Sequence, residues 1–330
     1  MRRVATDGVR APLLLLLSVS AVSLAAGAQE LLLLGGATRE RGLRETTHGW
    51  AIEYAHELGA DTHATLAWIN EGHVTDHHRD GHAAQLWARG LFLDGRLSAA
   101  LGLGPYRYFD TEQAARGASY ANDHGWGLVS SAGLAWHADR RWRFHLRVNR
   151  VDTRTSIDTT MLLAGVGHEL DSAPVQGPAA APPAGRTTNG EVALFLGRTI
   201  LNSFGSETSP AVAAEYRRGL GRYVDWTAGW LNEGGNGIIR RNGVTTQLWL
   251  ARAFLAGTIT LGAGAGAYVA VNQEHAAAVA SDDERVSGLV TLTASYRFDP
   301  RWFARISWNR VVTRYDRDAD VILLGGGLRF

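Results

Sequence analysis

One set of polar and aromatic residues occurs twice in the chain at nearly the same spacing. Its carboxylate, amides, phenol and guanidinium are groups that can bind a sugar or a lipid phosphate. The first set is Asn70, Glu71, Gln85, Trp87, Tyr106, Asn149 and Arg150, and the second is Asn232, Glu233, Gln247, Trp249, Tyr268, Asn309 and Arg310. The pattern leaves two interpretations open: a ligand-binding site, or a structural network that joins the surrounding elements.

The sequence gives less support for a metal site, and it excludes cysteine chemistry. The segment Gly72–His82 contains four histidines together with Asp76 and Asp80, and such spacing can attract a metal ion. The equivalent segment of the second half, Gly234–Gly243, contains no histidine. We therefore interpret the first segment as a solvated loop and predict no metal site and no cofactor. The chain has no cysteine, which excludes disulfides and thiolate ligands.

Composition and the first residues narrow the class of protein. The 330 residues include 33 basic side chains, all arginine, and 32 acidic ones, giving a net charge of +1. Near-neutral charge argues against a nucleic-acid partner. Residues 1–28 combine a basic start, the apolar run Leu13–Leu17 and the small residues Ala26-Gly27-Ala28. This pattern predicts a secretory signal peptide and an exported protein.

The rest of the chain divides into sixteen candidate β-strands, eight in each half. In the first half these are Glu30–Thr38, Gly49–Leu58, Thr62–Asn70, Ala83–Leu93, Leu97–Tyr108, Gly125–His137, Trp142–Val151 and Thr159–Leu170. In the second half they are Glu191–Asn202, Val212–Leu220, Val224–Asn232, Thr245–Leu255, Ile259–Val271, Ser287–Phe298, Trp302–Val312 and Asp320–Phe330. Segments of about ten residues bounded by turn residues are typical of transmembrane barrels. We predict an all-β, antiparallel, up-and-down transmembrane β-barrel fold.

The connections between these strands alternate in length. Short ones such as Leu58–Asp61 alternate with longer polar ones such as Glu71–His82 and Phe109–His124. Membrane barrels of bacteria have short periplasmic turns and longer outer loops. The alternation therefore predicts that both termini are periplasmic and that the two polar sets lie near the outer rim.

The two halves repeat each other. Trp142–Leu170 matches the last 29 residues without a gap, including the shared tryptophan at Trp142 and Trp302. This similarity predicts a gene duplication with one eight-stranded repeat at 29–170 and a second at 190–330. Residues 171–189 are rich in Pro, Ala and Gly and read as a linker far longer than a strand-to-strand turn. Two eight-stranded barrels are therefore expected, with one sixteen-stranded barrel as the alternative.

Alternation along the strands assigns each side chain to the lipid or to the lumen. If Phe330 faces lipid, the inward residues are mostly small, with a few Glu and Arg, which suits a narrow barrel filled by side chains. A buried carboxylate needs a cationic partner. We therefore predict lumen ion pairs between Glu53 and Arg147 and between Glu215 and Arg305.

The chain ends on Phe330, inside an apolar strand. This end resembles the C-terminal strand of bacterial outer-membrane β-barrels, in which the terminal aromatic is an assembly signal. The resemblance implies a Gram-negative outer-membrane location. It also implies two kinds of partner: the barrel assembly machinery, through the Phe330 strand, and outer-membrane lipid and lipopolysaccharide.

The strand count and the polar seventh strand also resemble, loosely, the lipid A deacylase barrels of the PagL type. In that family a His and a Ser on the seventh strand are catalytic. The matching positions here are Leu146 and Val148, or Ile306 and Trp308. We therefore predict a structural or ligand-binding barrel protein with no catalytic residues. A lipid-modifying enzyme and a sixteen-stranded porin remain as alternative functions.

Overall fold

The fold is described from a computed structural model, over residues 28–114, 120–138, 141–171, 188, 190–275 and 284–330. The predicted signal peptide, apart from Ala28, and most of the predicted linker lie outside these residues. Within the described part of the chain, no helix is long and apolar enough to cross a membrane.

Sixteen antiparallel strands make up the fold, in two groups of eight. The first group is β1 (Gln29–Glu40), β2 (Thr46–Glu57), β3 (Thr62–Val74), β4 (His77–Phe92), β5 (Leu97–Glu112), β6 (Ala121–His137), β7 (Trp142–Thr153) and β8 (Thr159–Asp171). The second is β9 (Gly190–Leu201), β10 (Thr208–Gly219), β11 (Val224–Gly235), β12 (Ile239–Phe254), β13 (Ile259–His275), β14 (Val286–Arg297), β15 (Trp302–Val312) and β16 (Ala319–Arg329). A single 3-10 turn, Leu255–Gly257, connects β12 to β13.

Each group closes on itself. Strand β1 pairs with β8, so that Gly35 lies opposite Ala164. Strand β9 pairs with β16, so that Leu196 lies opposite Leu324. The result is two closed eight-stranded barrels, as predicted. The alternative of one sixteen-stranded barrel is wrong, because it would pair β8 with β9 and β16 with β1. Closure within each half leaves no strand edge with unpaired backbone groups.

Side-chain alternation gives each barrel an apolar outer wall. On β7 the side chains of Phe144, Leu146 and Val148 are 54%, 49% and 42% exposed, whereas Arg147 between them is 5% exposed. The lumen is narrow enough that some inward positions require glycine. A Cβ on Gly102 would lie 2.4 Å from the ring of Trp87, and one on Gly264 would lie 2.5 Å from the ring of Trp249. The two tryptophans thus fill the lumens by lying over glycines of the neighbouring strand.

The hairpins at one end of the barrels are longer than predicted. The segment 71–82, expected to be a polar loop, continues the β3 and β4 ladder and leaves a two-residue turn at residues 75–76. Asp76 supplies the positive φ that this turn needs. Likewise β5 extends to Glu112 and β6 begins at Ala121, inside the predicted loop 109–124. The loss of hydrophobicity marks the end of the apolar outer wall and not the end of the strand, because the backbone ladder continues beyond it.

Candidate functional sites in the lumens and between the barrels

The predicted polar sets divide between the two faces of the sheet. The inward side chains are Glu71, Gln85, Trp87, Tyr106 and Asn149 in the first barrel, and Glu233, Gln247, Trp249, Tyr268 and Asn309 in the second. The outward ones are Asn70, Arg150, Asn232 and Arg310. Neighbouring residues of a strand point to opposite faces, so Asn149 and Arg150 cannot share one site. The expected single cluster at each rim is therefore not formed.

A buried ion pair closes the lumen of each barrel at the end that carries the long hairpins, which we call the upper lumen. In the first barrel the Arg79 guanidinium donates from Nε to Glu71 at 2.9 Å and from Nη2 to the same carboxylate at 2.5 Å. In the second, Arg241 donates to Glu233 at 2.5 Å and to the Tyr315 hydroxyl at 2.9 Å. Both arginines are 1% exposed. Neither was identified from the sequence, although each lies eight residues after the glutamate that it binds.

The middle of each lumen is occupied by hydrogen-bonded side chains. Gln85 donates to Ser131 at 2.9 Å, and Ser131 donates to Asn149 at 2.8 Å. The indole of Trp87 donates to Thr65 at 3.0 Å, and in the second barrel Trp249 donates to Thr227 at 2.9 Å. Asn309 accepts from Thr291 at 2.9 Å and donates to the Val321 carbonyl at 3.0 Å. These predicted ligand-binding groups are therefore engaged by serine and threonine hydroxyls and by the backbone of the surrounding strands.

The two lumen ion pairs predicted from the sequence are confirmed, and they lie toward the end of each barrel that carries the short turns. Arg147 lies 2.5 Å from Glu53 and also stacks over Trp87, 4.6 Å from the ring centroid. Arg305 lies 2.8 Å from Glu215 and 2.6 Å from Glu191. Beneath the first pair is a cavity of about 50 Å³ lined by Glu30, Glu57, His137 and Arg143 among others. It has room for a few water molecules only.

The two barrels meet along a lateral contact that we call the seam, formed by Trp50, Trp68, Asp80, Trp308, Arg310 and Asp320. The rings of Trp68 and Trp308 stack with centroids 3.7 Å apart. Arg310 donates to Asp80 of the first barrel at 2.5 Å and to Asp320 of its own barrel at 2.7 and 2.8 Å. Trp68, Asp80 and Arg310 are 1%, 5% and 4% exposed, although their strands turn them outward.

The outer hairpins extend the seam beyond the aromatic layer. Asn122 donates from its backbone to Asp316 at 2.8 Å and from its side chain to the Asn202 carbonyl at 2.9 Å. His124 lies 2.6 Å from Asp318. Tyr120 packs in one cluster with Leu201, Ile239 and Tyr315 of the second barrel. The long-hairpin ends of the two barrels therefore form one continuous surface.

The matching arginine of the first barrel has a different environment. Arg150 is the repeat equivalent of Arg310, yet its side chain is 52% exposed and binds Asp152 two residues along the same strand at 2.8 Å. Arg39 on β1 and Arg150 on β7 both lie opposite Thr160 of β8. Arg41 also approaches Asp152, at 3.4 Å. Arg41 and Arg150 thus both approach the Asp152 carboxylate, and Arg39 lies beside Arg150 across β8. We call these three arginines, at the edge of the apolar wall, the arginine rim.

The histidines of the predicted loop lie on both faces of the β3–β4 hairpin. His73 and His78 face outward and stack, with ring centroids 3.6 Å apart. His77 lies at the lumen mouth, with Nδ1 2.8 Å from an Asp110 carboxylate oxygen. The hydrogen bond to Asp110 raises the pKa of His77 above its ordinary value. Burial and the neighbouring carboxylates Asp110 and Asp123 raise the pKa of Glu112.

No known protein-family model matches the chain, and no curated protein matches it. Among solved structures, it is similar to Neisserial surface protein A, at 13% identity and a TM-score of 0.35 over 44% of this chain and 97% of that one. It is also similar to the N-terminal β-barrel domain of Pseudomonas aeruginosa OprF, at 12% identity and a TM-score of 0.33 over 43% and 98%. A third is Ail of Yersinia pestis, at 12% identity and a TM-score of 0.31 over 43% and 97%. Each of these barrels spans about one half of the chain, and the two closed sheets follow from the strand pairing itself.

Proposed function

We propose that this chain is a non-conducting protein of the bacterial outer membrane, composed of two plugged barrels with a structural or ligand-binding role. The observation that carries the proposal is the filling of both lumens. Fully buried Trp87, Arg79 and Tyr106 occupy one, and fully buried Trp249, Arg241 and Tyr268 occupy the other. Eight-stranded barrels of this width are filled by side chains, whereas porins are wider and hold water. The matching strand order of the halves supports an origin by gene duplication.

The direction of insertion follows from the ends of the hairpins. Short turns at 58–61, 93–96 and 220–223 lie at the same barrel end as Gln29 and Phe330, and extended hairpins lie at the other. We place the short turns and both termini in the periplasm, in line with barrels of known orientation. The C-terminal strand that ends at Phe330 would then reach the barrel assembly machinery from the periplasmic side.

Because both lumens are plugged, we expect the protein to conduct no ions. The mature chain, refolded in detergent and added to planar lipid bilayers, should produce no discrete current steps, because the buried ion pairs and tryptophans leave no continuous water path. A sixteen-stranded porin added at the same concentration supplies the positive control. Regular steps from the folded protein that persist after repeated purification would contradict the non-conducting role.

The arginine rim indicates which ligand the outer edge can bind. Most polar side chains of the predicted sets are directed into the lumens, but Arg150 is exposed, and the exposed Arg39 and Arg41 lie near it. Arginine binds phosphate through paired hydrogen bonds. Because the rim lies directly above the apolar wall, we propose that it binds phosphates of lipopolysaccharide in the outer leaflet.

Lipid binding should depend on the arginine rim and not on the net charge of the protein. Replacing both Arg39 and Arg150 with Gln should weaken binding to lipopolysaccharide-containing vesicles at least tenfold, since two phosphate contacts are lost. Changing Arg96 and Arg222 to Gln removes the same charge at the short turns and should leave binding almost unchanged. Fluorescence titration of reconstituted protein measures both. Equal losses in the two double variants would show that the rim is not the binding site.

Among the described residues, the side chains at and near the positions of that family's catalytic pair do not favour the alternative of a lipid-modifying enzyme. Catalysis by a nucleophile requires a base within hydrogen-bond distance. The positions equivalent to the family's catalytic pair, Leu146 and Val148, face outward in the apolar wall. The nearby Ser307 and His145 belong to different barrels, and His145 binds Glu30 at 2.8 Å.

A further inference from the structure

Three side chains that can bind a metal ion lie together at the outer mouth of the first barrel. His77 on β4 lies opposite Glu112 on β5, and Asp110 is two residues before Glu112 on the same strand. One nitrogen or oxygen atom from each of the three side chains lies within 4.8 Å of the other two. Strand pairing, not a mobile loop, sets the spacing of these three residues.

One oxygen of the Asp110 carboxylate is available to a ligand. Its side chain is fully buried. One carboxylate oxygen accepts from Ser156 at 2.6 Å and lies 2.8 Å from His77. The other, Oδ1, is buried without a hydrogen-bond partner. A buried carboxylate oxygen with no donor is costly unless a cation or water reaches it.

The surrounding charges are compatible with a cation. Asp123 lies opposite Asp110 on β6, so a third carboxylate is at the same end of the lumen. The nearby cation, Arg79, is already engaged by both oxygens of Glu71. The His77 side chain is 21% exposed, which gives an ion and its remaining water ligands access from outside.

We propose that His77, Asp110 and Glu112 form a binding site for a divalent first-row transition ion such as Zn²⁺ at the outer mouth of the first barrel. One imidazole nitrogen and two carboxylate oxygens, with water completing the coordination, form a donor set that such ions accept. The site is specific to the first barrel, because Ile239 occupies the position of His77 on β12. It joins β4 to β5 above the membrane and does not depend on the lipid-binding role proposed for the arginine rim.

Zn²⁺ titration of the refolded mature chain by calorimetry tests the site. The expected result is one ion per chain, with at least a tenfold loss of affinity in both His77→Asn and Glu112→Gln. Glu112→Gln is the milder change, so it remains informative if His77→Asn fails to fold. Excess Mg²⁺ should not compete, because it prefers all-oxygen sites.

The stacked pair His73 and His78 provides the control, since it lies on the opposite face of the same hairpin. The His73→Asn and His78→Asn double variant should keep the affinity of the unaltered chain. Loss of binding in that variant, or unchanged binding in both His77→Asn and Glu112→Gln, would overturn the proposal. A chain that takes up no Zn²⁺ at millimolar concentration would overturn it equally.

Discussion

Replacing Arg310 with Ala should lower the free energy of unfolding by about 3–5 kcal/mol, the range for leaving a buried charge without its partner. The change strands two carboxylates, Asp80 from the first barrel and Asp320 from the second, in the seam between the aromatic side chains. Both accept from the guanidinium at 2.8 Å or less. Urea unfolding in detergent, followed by tryptophan fluorescence, measures the loss.

The repeat supplies a matched control for this variant. Arg150 occupies the same position in the first barrel but is exposed, so Arg150→Ala should leave the unfolding midpoint unchanged. Replacing Asp80, Arg310 and Asp320 together with Leu, Met and Leu should recover most of the stability, because the stranded charges are then absent. If Arg310→Ala and Arg150→Ala shift the midpoint equally, the seam does not hold Arg310 as described.

Glu71→Ala should also cost about 3 kcal/mol, by leaving the Arg79 guanidinium without its carboxylate in the lumen. Arg79 retains the Ser156 hydroxyl at 2.9 Å, which is why the expected loss lies at the lower end of the range. Glu233→Ala should have a similar effect in the second barrel, where Arg241 keeps the Tyr315 hydroxyl. Unfolding of the two variants under the same conditions gives the comparison.

Glu71→Gln distinguishes charge from shape in the same experiment. The amide keeps the size of the side chain and one acceptor, so its loss should lie between zero and that of Glu71→Ala. If Glu71→Ala leaves stability unchanged while abolishing binding of a sugar or lipid, then the residue belongs to a ligand site. The interpretation of the upper lumen as a structural plug would then be wrong.

Much of this fold follows from period-two alternation. Turn residues and the internal repeat predicted the two eight-stranded groups. The alternation of strand neighbours between opposite faces predicted the Glu53–Arg147 and Glu215–Arg305 pairs. The same rule also divides the predicted polar sets. Asn149 and Arg150 are adjacent on β7. The prediction that they share one site is therefore inconsistent with the alternation of side chains along the strand.

The seam could not be predicted from the sequence. Arg150 and Arg310 lie in the same Asn-Arg-Val segment of their repeats, and only tertiary contact makes one exposed and the other buried. One local difference accompanies this: Asp152, which binds Arg150, is replaced by Val312 in the second repeat. Arg310 instead binds Asp320 of its own barrel and Asp80 of the first barrel, which is 230 positions away. Local patterns carry no information about a contact of that separation.

The seam also joins two faces that are not equivalent. It uses β2, β3 and β4 of the first barrel and β15 and β16 of the second. In the other repeat, the equivalents of two seam residues lie outside the seam. Val148 is the equivalent of Trp308, and Asn242 is the equivalent of Asp80. A second copy of the chain would therefore find Val148 and Asn242 at these positions, and not the tryptophan and the carboxylate of the seam.

Engineered disulfides test the closure of each half most directly, because the chain has no cysteine of its own. Gly35 and Ala164 are partners across the β1–β8 pair. Both face outward from the barrel, and open space surrounds a Cβ placed on Gly35. Antiparallel partners have Cα atoms about 4.5–5.5 Å apart, within the range of a disulfide.

By the repeat, Gly35 is equivalent to Leu196 and Ala164 is equivalent to Leu324. One sixteen-stranded barrel would therefore bring Gly35 next to Leu324. Two closed barrels predict that Gly35→Cys with Ala164→Cys forms an intramolecular disulfide in the folded protein, detected by mass spectrometry after proteolysis, whereas Gly35→Cys with Leu324→Cys does not. Efficient cross-linking of the second pair, with none in the first, would contradict the two-barrel fold.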